Sequence, residues 1–215
     1  MSLQELLLKP IAYLRKQPVL RKIARFLFRK KIVIPEYSEK RAIILSYKKL
    51  FKTNVFVETG TFMGDTIEAL VDDFDRLHSI ELSEELALRA TKRFADKEKV
   101  TIIQGNSDIE LKRILDTLDE PTLFWLDGHY SGEFMYEDEY IKTAKGALVT
   151  PIIRELEDIF SFQLPHIILI DDARLFNGRE DYPTISQIKQ LVKRASKIKR
   201  KLTVKRDIIR IVPVH

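Results

Sequence analysis

Five short apolar segments, each set between stretches of helical pattern, constrain the fold of this sequence more than any other feature. They lie at residues 54–58, 77–81, 100–104, 122–127 and 166–171. Apolar strands that are short and bounded by helices are typical of a parallel sheet buried on both faces. The sequence therefore predicts an α/β fold, a doubly wound Rossmann-like sheet with helices on both faces.

The last part of the sequence departs from this alternation. The stretch KLTVKRDIIRIVPV contains two strand patterns separated only by a tight turn around Arg206–Asp207. A parallel crossover needs about a dozen residues or more, so two strands this close must be antiparallel. We expect the sheet to end in a C-terminal antiparallel hairpin.

Composition excludes several classes of protein. The 215 residues include no Cys, which rules out a disulfide scaffold, a thiolate nucleophile and a Cys-ligated metal site. No apolar run approaches the ~18 residues of a membrane span, and the first residues lack the features of a secretory signal. We expect a cytoplasmic protein.

Charge is strongly segregated along the chain. Residues 1–31 carry nine Lys or Arg and one acidic residue, and residues 185–215 carry ten and one, whereas residues 32–184 have a net charge of −12. Residues 1–35 predict a basic helical extension, with the apolar side chains of its second helix on one stripe. This helix either packs on the domain at 36–215 or lies on an anionic membrane surface as a peripheral contact.

Glycines mark the predicted carboxyl edge of the sheet, where ligands bind in folds of this kind. The first strand exits as Glu58-Thr59-Gly60-Thr61-Phe62-Met63-Gly64-Asp65-Thr66. A dinucleotide fingerprint that begins at Gly60 would need Gly at the positions of Phe62 and Asp65. The Asp65 carboxylate would also repel a pyrophosphate at that helix N-terminus. The loop instead suits a nucleoside that carries no phosphate.

The next two strand exits supply further polar groups. Glu81 ends the second strand, where an acid can accept hydrogen bonds from both ribose hydroxyls. The alternative interpretation, in which Glu81 is a solvated acid at the start of a helix, is less favoured because Ser83 is available as the N-cap. The third strand exits as Gly105-Asn106-Ser107-Asp108, a loop that we expect alongside the purine.

Taken in order, these exits resemble those of the class I S-adenosylmethionine-dependent methyltransferases. The shared features are E-x-G-x-x-x-G from Glu58, an acid ending strand two, G-N-S-D after strand three and Asp127 ending strand four. The resemblance covers residues 39–215, includes the terminal hairpin, and departs at Phe62, where many members have a second Gly. It implies S-adenosylmethionine as cofactor.

The resemblance also implies a set of cofactor-binding residues. Glu58, Gly60 and Gly64 would line the methionine moiety, Glu81 the ribose and Asn106–Ser107 the adenine. The full set is Glu58, Gly60, Thr61, Gly64, Asp65, Thr66, Glu81, Leu82, Gly105, Asn106, Ser107, Asp127 and Gly128.

The fourth and fifth strand exits, Asp127-Gly128-His129-Tyr130 and Asp171-Asp172, are similar to those of the macrocin O-methyltransferase-like branch. That resemblance implies a Mg²⁺ site at Asp127, Asp171 and Asp172, although His129 stands where the branch often has a second Asp. Three carboxylates would suit the oxygen-ligand preference of Mg²⁺. The alternatives for these acids are solvated groups, helix caps or a counter-charge to the sulfonium.

His129 and Asp127 are the candidate catalytic residues. His129 is the only His expected at this edge, where it could act as a general base near neutral pH. His78 and His166 precede or begin strands and are expected at the opposite edge in structural roles.

The 128–146 loop, with its four aromatic residues, is either a lid or a surface excursion with a short helix near 137–142.

We therefore expect an enzyme that methylates a hydroxyl of a small molecule or glycan. Nucleic acid is disfavoured as a partner, because D-G-H-Y differs from the [DNS]-P-P-[YFW] of base-amine methyltransferases. The alternatives are an RNA methyltransferase that uses the basic ends and a non-catalytic cofactor-binding module.

Overall fold

The computed structural model of the chain describes residues 33–130, 132–136 and 138–214. The predicted basic helices within 1–35 fall almost wholly outside these residues. Within the described part of the chain, no helix is long and apolar enough to cross a membrane.

A seven-stranded sheet forms the centre of the fold. Its strand order is β3-β2-β1-β4-β7-β9-β8, in which β1, β2, β3, β4 and β7 are parallel. The strand bounds are β1 Val55–Thr59, β2 Arg76–Glu81, β3 Val100–Gln104, β4 Thr122–Leu126, β7 Ile167–Ile170, β8 Arg200–Lys205 and β9 Ile208–Pro213. The order reverses between β1 and β4, and a crevice at such a point is the ligand-binding position of open α/β sheets.

Helices cover both faces of this sheet. They are α1 Tyr37–Phe51, α2 Asp65–Leu70, α3 Glu84–Arg93, α4 Ser107–Leu115, α5 Ile152–Ser161 and α6 Ile185–Ala195, with a short 3-10 turn at Ala173–Leu175. Successive side chains of β1 therefore pack into hydrophobic cores on opposite faces of the sheet. Val55 and Val57 pack with α4, α5 and α6, whereas Phe56 packs with α1 and α2. The predicted doubly wound sheet is confirmed.

The terminal hairpin is confirmed as well. β9 pairs antiparallel with both β7 and β8, and the connecting residues Arg206 and Asp207 have φ of +47° and +56°. Two consecutive residues in the left-handed region give the tight turn whose twist matches the flanking strands. The hairpin buries Asp207, whose carboxylate accepts a hydrogen bond from the backbone N–H of Arg174 at 2.7 Å.

A second, smaller sheet interrupts the loop after β4. β5 (Glu133–Tyr136) and β6 (Glu139–Lys142) form an antiparallel pair, and Asp138 in the turn has φ +66°. The alternative of a short helix near 137–142 is therefore wrong. A four-residue strand pair has no core of its own, so its position depends on the sheet edge against which it packs.

Candidate active site

The carboxyl ends of β1, β2, β3 and β4 surround a cavity of about 250 Å³. Eight of the predicted cofactor-binding residues line it: Gly60, Glu81, Leu82, Gly105, Asn106, Ser107, Asp127 and Gly128. Apolar walls come from Ile80, Leu86, Leu148 and Val149. We call this space the cofactor cavity.

Gly60 lets the exits of β1 and β4 approach each other closely. Its φ is +89°, and a Cβ there would lie 2.8 Å from the carbonyl oxygen of Asp127 and 3.2 Å from the Cα of Gly128. Only Gly fits such a position. The two exit loops thereby form one continuous floor of the cofactor cavity.

Phe62 occupies the left-handed region at φ +50°. Its backbone N–H donates to Oε2 of Glu81 at 2.8 Å. Its ring lies 5.8 Å from the ring of Phe134 and 5.2 Å from that of Tyr136, centroid to centroid. These contacts hold a conformation that is costly for a residue with a Cβ.

Glu81 is buried, and its carboxylate accepts hydrogen bonds from backbone N–H groups. Besides Phe62, the N–H of Ser83 donates to its Oε1 at 2.9 Å. Burial raises the pKa of the carboxyl, and these backbone donors oppose the rise. Ser83 is the N-cap of α3, as the sequence indicated, and accepts from Leu86 at 3.4 Å. Glu81 also lines the cofactor cavity.

The other five residues of the predicted cofactor set do not line this cavity. Glu58 is fully buried and accepts a hydrogen bond from the Ser79 hydroxyl at 2.7 Å, and burial raises its pKa to about 8. Gly64 begins α2 at φ +84° against the ring of Phe94. The remaining three lie on the other side of the β1 exit: Thr61, Asp65 and Thr66.

Asp127, His129 and Asp172 converge between the exits of β4 and β7. His129 Nδ1 lies 3.4 Å from Oδ1 of Asp127, and its Nε2 lies 3.7 Å from Oδ2 of Asp172. Burial alone would lower the pKa of His129, but its hydrogen bond to Asp127 and the nearby carboxylate charges outweigh burial and raise it. Ligand atoms of the three residues lie within 4.8 Å of one another, close enough to share a cation.

Asp171 is engaged differently from the other two predicted metal ligands. Its buried carboxylate forms an ion pair with Lys40 of α1 and accepts a hydrogen bond from the N–H of Asp172 at 2.9 Å. Burial and the charge of Asp127 raise the pKa of Asp171 to about 6, against the effect of Lys40. Its partner comes from a residue 131 positions away, which the sequence pattern did not indicate.

A buried carboxyl that sequence reasoning missed lies beneath this cluster. Glu155 of α5 is 1% exposed, and burial raises its pKa to about 7. Its Oε1 has no hydrogen-bond partner among the described residues and would lie 3.5 Å from a Cβ at position 128. The position of Glu155 within an amphipathic helix pattern gave no signal of this burial.

The β5–β6 hairpin covers the edge of the site. Tyr130 and Phe134 line the cofactor cavity, and the Tyr136 hydroxyl donates to Asp65 at 3.0 Å. Tyr140, the fourth aromatic residue of this loop, is 61% exposed and lines neither cavity described here. The 128–146 loop thus contributes two aromatic side chains to the cofactor cavity, Tyr130 before the hairpin and Phe134 of β5.

A second cavity, of about 660 Å³, adjoins the first. The two share Gly60, Phe62 and Asp127. Its walls come from α1, α2 and the hairpin: Tyr37, Lys40, Arg41, Ile44, Asp65, Thr66, Glu68, Ala69 and Tyr136 among them. We call this space the α1–α2 cleft.

Comparison with known proteins identifies the fold. No family model and no curated protein matches the sequence. Among solved structures, the chain is similar to an O-methyltransferase from Bacillus cereus in complex with S-adenosylhomocysteine, with a TM-score of 0.59 and 14% identity over 90% of this chain and 88% of that one. It is also similar to the S-adenosylhomocysteine-bound methyltransferase PaMTH1 from Podospora anserina, with a TM-score of 0.57 and 14% identity over 94% and 84% of the two chains.

A putative caffeoyl-CoA O-methyltransferase from Staphylococcus aureus gives a TM-score of 0.55 at 14% identity over 99% of this chain and all of that one. The described residues thus have the fold of class I S-adenosylmethionine-dependent methyltransferases. Similar folds also include an N-methyltransferase from Bradyrhizobium japonicum and a putative rRNA methylase from Clostridium thermocellum, both at a TM-score of 0.51. Because these proteins carry different descriptions, the fold does not define the acceptor.

Proposed function

We propose that this protein transfers the methyl group of S-adenosylmethionine to a hydroxyl oxygen of a small molecule or glycan. The observation that carries the proposal is the meeting of the cofactor cavity and the α1–α2 cleft at Asp127, beside the imidazole of His129. A methyl donor bound across this shared floor would present its methyl group to a carboxylate–imidazole pair.

The residues of the cofactor cavity fit the proposed cofactor. Glu81 can accept hydrogen bonds from ribose hydroxyls while it holds the Phe62 and Ser83 backbone. The apolar walls at Ile80 and Leu148 suit a purine ring, and Gly60 lets the β1 and β4 exits approach each other beneath it. The Asp127 carboxylate would complement the positive charge of the sulfonium.

S-adenosylmethionine supplies an electrophilic methyl carbon: the acceptor oxygen forms a C–O bond as the C–S bond breaks, leaving S-adenosylhomocysteine and one proton. His129 would take that proton. Asp127 and Asp172 flank the imidazole and would stabilise the imidazolium that results. Phe134 of the hairpin and Tyr130 before it would exclude water from the cofactor.

A divalent cation would be held by Asp127, His129 and Asp172, where it would make a nearby hydroxyl easier to deprotonate. Asp171 would not contribute a ligand, because Lys40 is paired with its carboxylate. Two carboxylates and an imidazole suit Mg²⁺ less well than the three carboxylates predicted from the sequence. In our proposal the imidazole therefore acts as the base, and Mg²⁺ assistance stays a prediction.

Calorimetric titration with S-adenosylhomocysteine tests the cofactor. We expect micromolar binding that Glu81→Gln weakens about tenfold or more, because a charged acceptor is lost. Glu84→Gln is the matched control, since Glu84 is an exposed acid three residues further along. Absence of binding to folded wild-type protein would contradict the proposal.

Transfer from methyl-tritiated cofactor, measured with Mg²⁺ and with EDTA, tests the chemistry. We expect His129→Gln to lower transfer by about 10²–10⁴-fold, as loss of a general base does. His78→Gln is the control, because His78 lies within β2 and lines neither cavity. Cofactor binding without any transfer would favour a non-catalytic module, and transfer abolished by EDTA would make His129 a metal ligand instead of the base.

A further inference from the structure

One edge of the central sheet carries a concentration of positive charge that the proposed function does not use. Residues 185–206 comprise α6, β8 and the residues that join and follow them, and they contain six Lys, three Arg and no acidic residue. β8 lies at the end of the sheet order, so within the described part of the chain no strand pairs with its outer side. We call the surface formed by residues 185–206 the basic edge.

The lysines of the basic edge lack partners of opposite charge. Nη2 of Arg194 lies 3.7 Å from Oε1 of Glu157. Arg206 pairs with Glu39, and Arg200 donates to backbone carbonyl oxygens. Six exposed lysines form no ion pair with any carboxylate of the described residues: Lys189, Lys193, Lys197, Lys199, Lys201 and Lys205. Like charges repel one another, so an anionic partner would stabilise this edge.

The lysines project from both faces of the outermost strand. Leu202 of β8 packs against the core beneath α6, so Lys201 and Lys205, at the alternate positions of the strand, lie on the opposite face. Lys189 and Lys193 are exposed one turn apart on α6. Lysine side chains are long and flexible, and a broad anionic surface that approached the edge could therefore contact both pairs at once.

A second copy of this chain fits the basic edge poorly. An unpaired edge strand can add a strand from another molecule, but an identical β8 would bring the same lysines against those already present. Charged residues on edge strands, lysine above all, oppose pairing of this kind. The charge of the edge therefore favours a partner that is itself anionic.

We propose that the basic edge binds the anionic surface of a lipid membrane. The inference goes beyond the proposed function, because it concerns the surface on which the protein works and does not depend on what it methylates. Clusters of four to eight basic residues bind anionic headgroups through the summed attraction of their charges.

Two exposed apolar side chains favour lipid over nucleic acid. They are Val204 of β8 and Val214, whose backbone N–H donates to the carbonyl oxygen of Lys199 at 3.0 Å. Apolar side chains next to basic ones suit the boundary between headgroups and acyl chains. By contrast, residues 185–206 include no aromatic side chain on which a base of single-stranded RNA could stack.

Co-sedimentation of the 215-residue protein with lipid vesicles tests the proposal. Vesicles of equal parts phosphatidylcholine and phosphatidylglycerol are compared with vesicles of phosphatidylcholine alone, and a short single-stranded RNA and a duplex RNA are the competing probes. The edge variant carries four substitutions: Lys189→Gln, Lys193→Gln, Lys201→Gln and Lys205→Gln. The control variant loses the same charge from exposed lysines elsewhere: Lys49→Gln, Lys52→Gln, Lys92→Gln and Lys112→Gln.

We expect wild-type protein to bind the anionic vesicles and not the neutral ones. The edge variant should bind about tenfold more weakly or less, because each lysine near an anionic surface raises the affinity several-fold, whereas the control variant should stay within about twofold of wild type. Added salt should weaken the binding, since it screens exposed charges. Urea denaturation of the three proteins establishes that both variants fold.

Three results would overturn the proposal. Binding to RNA without binding to anionic vesicles would make nucleic acid the partner. Vesicle binding that the edge variant retains would assign the contact to other residues, such as the basic sequence 1–31. Equal losses in the edge and control variants would show that net charge, and not the basic edge, determines binding. None of these results depends on S-adenosylhomocysteine binding, which tests the proposed function separately.

Discussion

The two ends of the central sheet carry buried histidines in opposite electrostatic environments. At the carboxyl end, His129 lies between Asp127 and Asp172, whose charges raise its pKa despite burial. At the amino end, burial lowers the pKa of His166 to about 4, and the charge of Arg200 adds to the effect. One end therefore keeps a group that can gain a proton, and the other keeps a neutral ring.

Residues with positive φ are more frequent at the carboxyl end, although Lys52, before β1 at the amino end, also has φ +53°. Gly60, Phe62 and Asp172 all have positive φ at the carboxyl end. At the amino end, Nδ1 of His166 accepts an ordinary hydrogen bond from the N–H of Thr122 at 3.2 Å. Carboxylates clustered around an imidazole at one end of a sheet are typical of a functional site, whereas the hydrogen bond between His166 and the neighbouring strand at the other end serves stability.

The largest effect at the carboxyl end is expected from Gly60→Ala. A left-handed φ costs a non-Gly residue about 1–2 kcal/mol, and a Cβ placed 2.8 Å from the Asp127 carbonyl oxygen adds overpacking, for a total of about 3 kcal/mol. Urea denaturation measures this loss, and calorimetry should show weaker S-adenosylhomocysteine binding.

Gly132→Ala is the control for backbone conformation alone. Its φ is +85°, but apart from its chain neighbours no described residue has an atom within 4 Å of the place that the added methyl group would occupy, so only the conformational cost of about 1 kcal/mol applies. Equal losses for Gly60→Ala and Gly132→Ala would mean that close approach of the β1 and β4 exits does not matter.

A smaller effect is expected from Lys40→Met, which leaves the buried Asp171 carboxylate without its cation. Breaking a buried pair is costly, but the Lys40 side chain is 25% exposed and solvent screens part of the loss, so we expect about 2 kcal/mol. Denaturation of Lys49→Met, an exposed lysine of the same helix, provides the comparison.

The double variant Lys40→Met with Asp171→Asn shows whether the pair is the cause. An amide needs no counter-charge, so the double variant should regain more than half of the loss seen with Lys40→Met. Additive losses in the two single variants would show that Lys40 and Asp171 stabilise the fold independently.

The sequence was sufficient to predict the sheet because the local pattern of each strand agrees with its burial. All five residues of β1 are buried, and the turn at Arg206–Asp207 left only an antiparallel pairing for β8 and β9. Gly60, Glu81 and Asn106 reach the cofactor cavity because parallel strands bring their exits to one edge.

The sequence did not predict features that depend on distant contacts. The Lys40–Asp171 pair joins residues 131 positions apart, and no local period records it. The β5–β6 hairpin mixes aromatic and acidic residues without a clear apolar face, so neither a helix nor a strand pattern prevails. Its position follows from contacts with other elements, such as that of Tyr136 with Phe62.

The smallest expected effect belongs to the amino end and depends on pH. The pKa of His166 is about 4 in the folded protein and about 6.5 in an unfolded chain. Below pH 6.5 the unfolded state therefore binds a proton that the folded state does not, and stability falls as the pH decreases toward 4. At pH 5.5 the loss is about 1.4 kcal/mol relative to pH 7.5.

His166→Asn isolates this contribution, because its side-chain oxygen can replace Nδ1 as the acceptor for Thr122 but does not titrate. Urea denaturation at pH 7.5 and 5.5 should show a smaller pH-dependent loss in this variant than in wild type. His78→Asn is the comparison: burial and Arg76 also lower the pKa of His78, but it is only partly buried, so it should contribute less. An undiminished pH dependence in His166→Asn would mean that folding does not lower the pKa of His166, and the contrast between the two ends would fail.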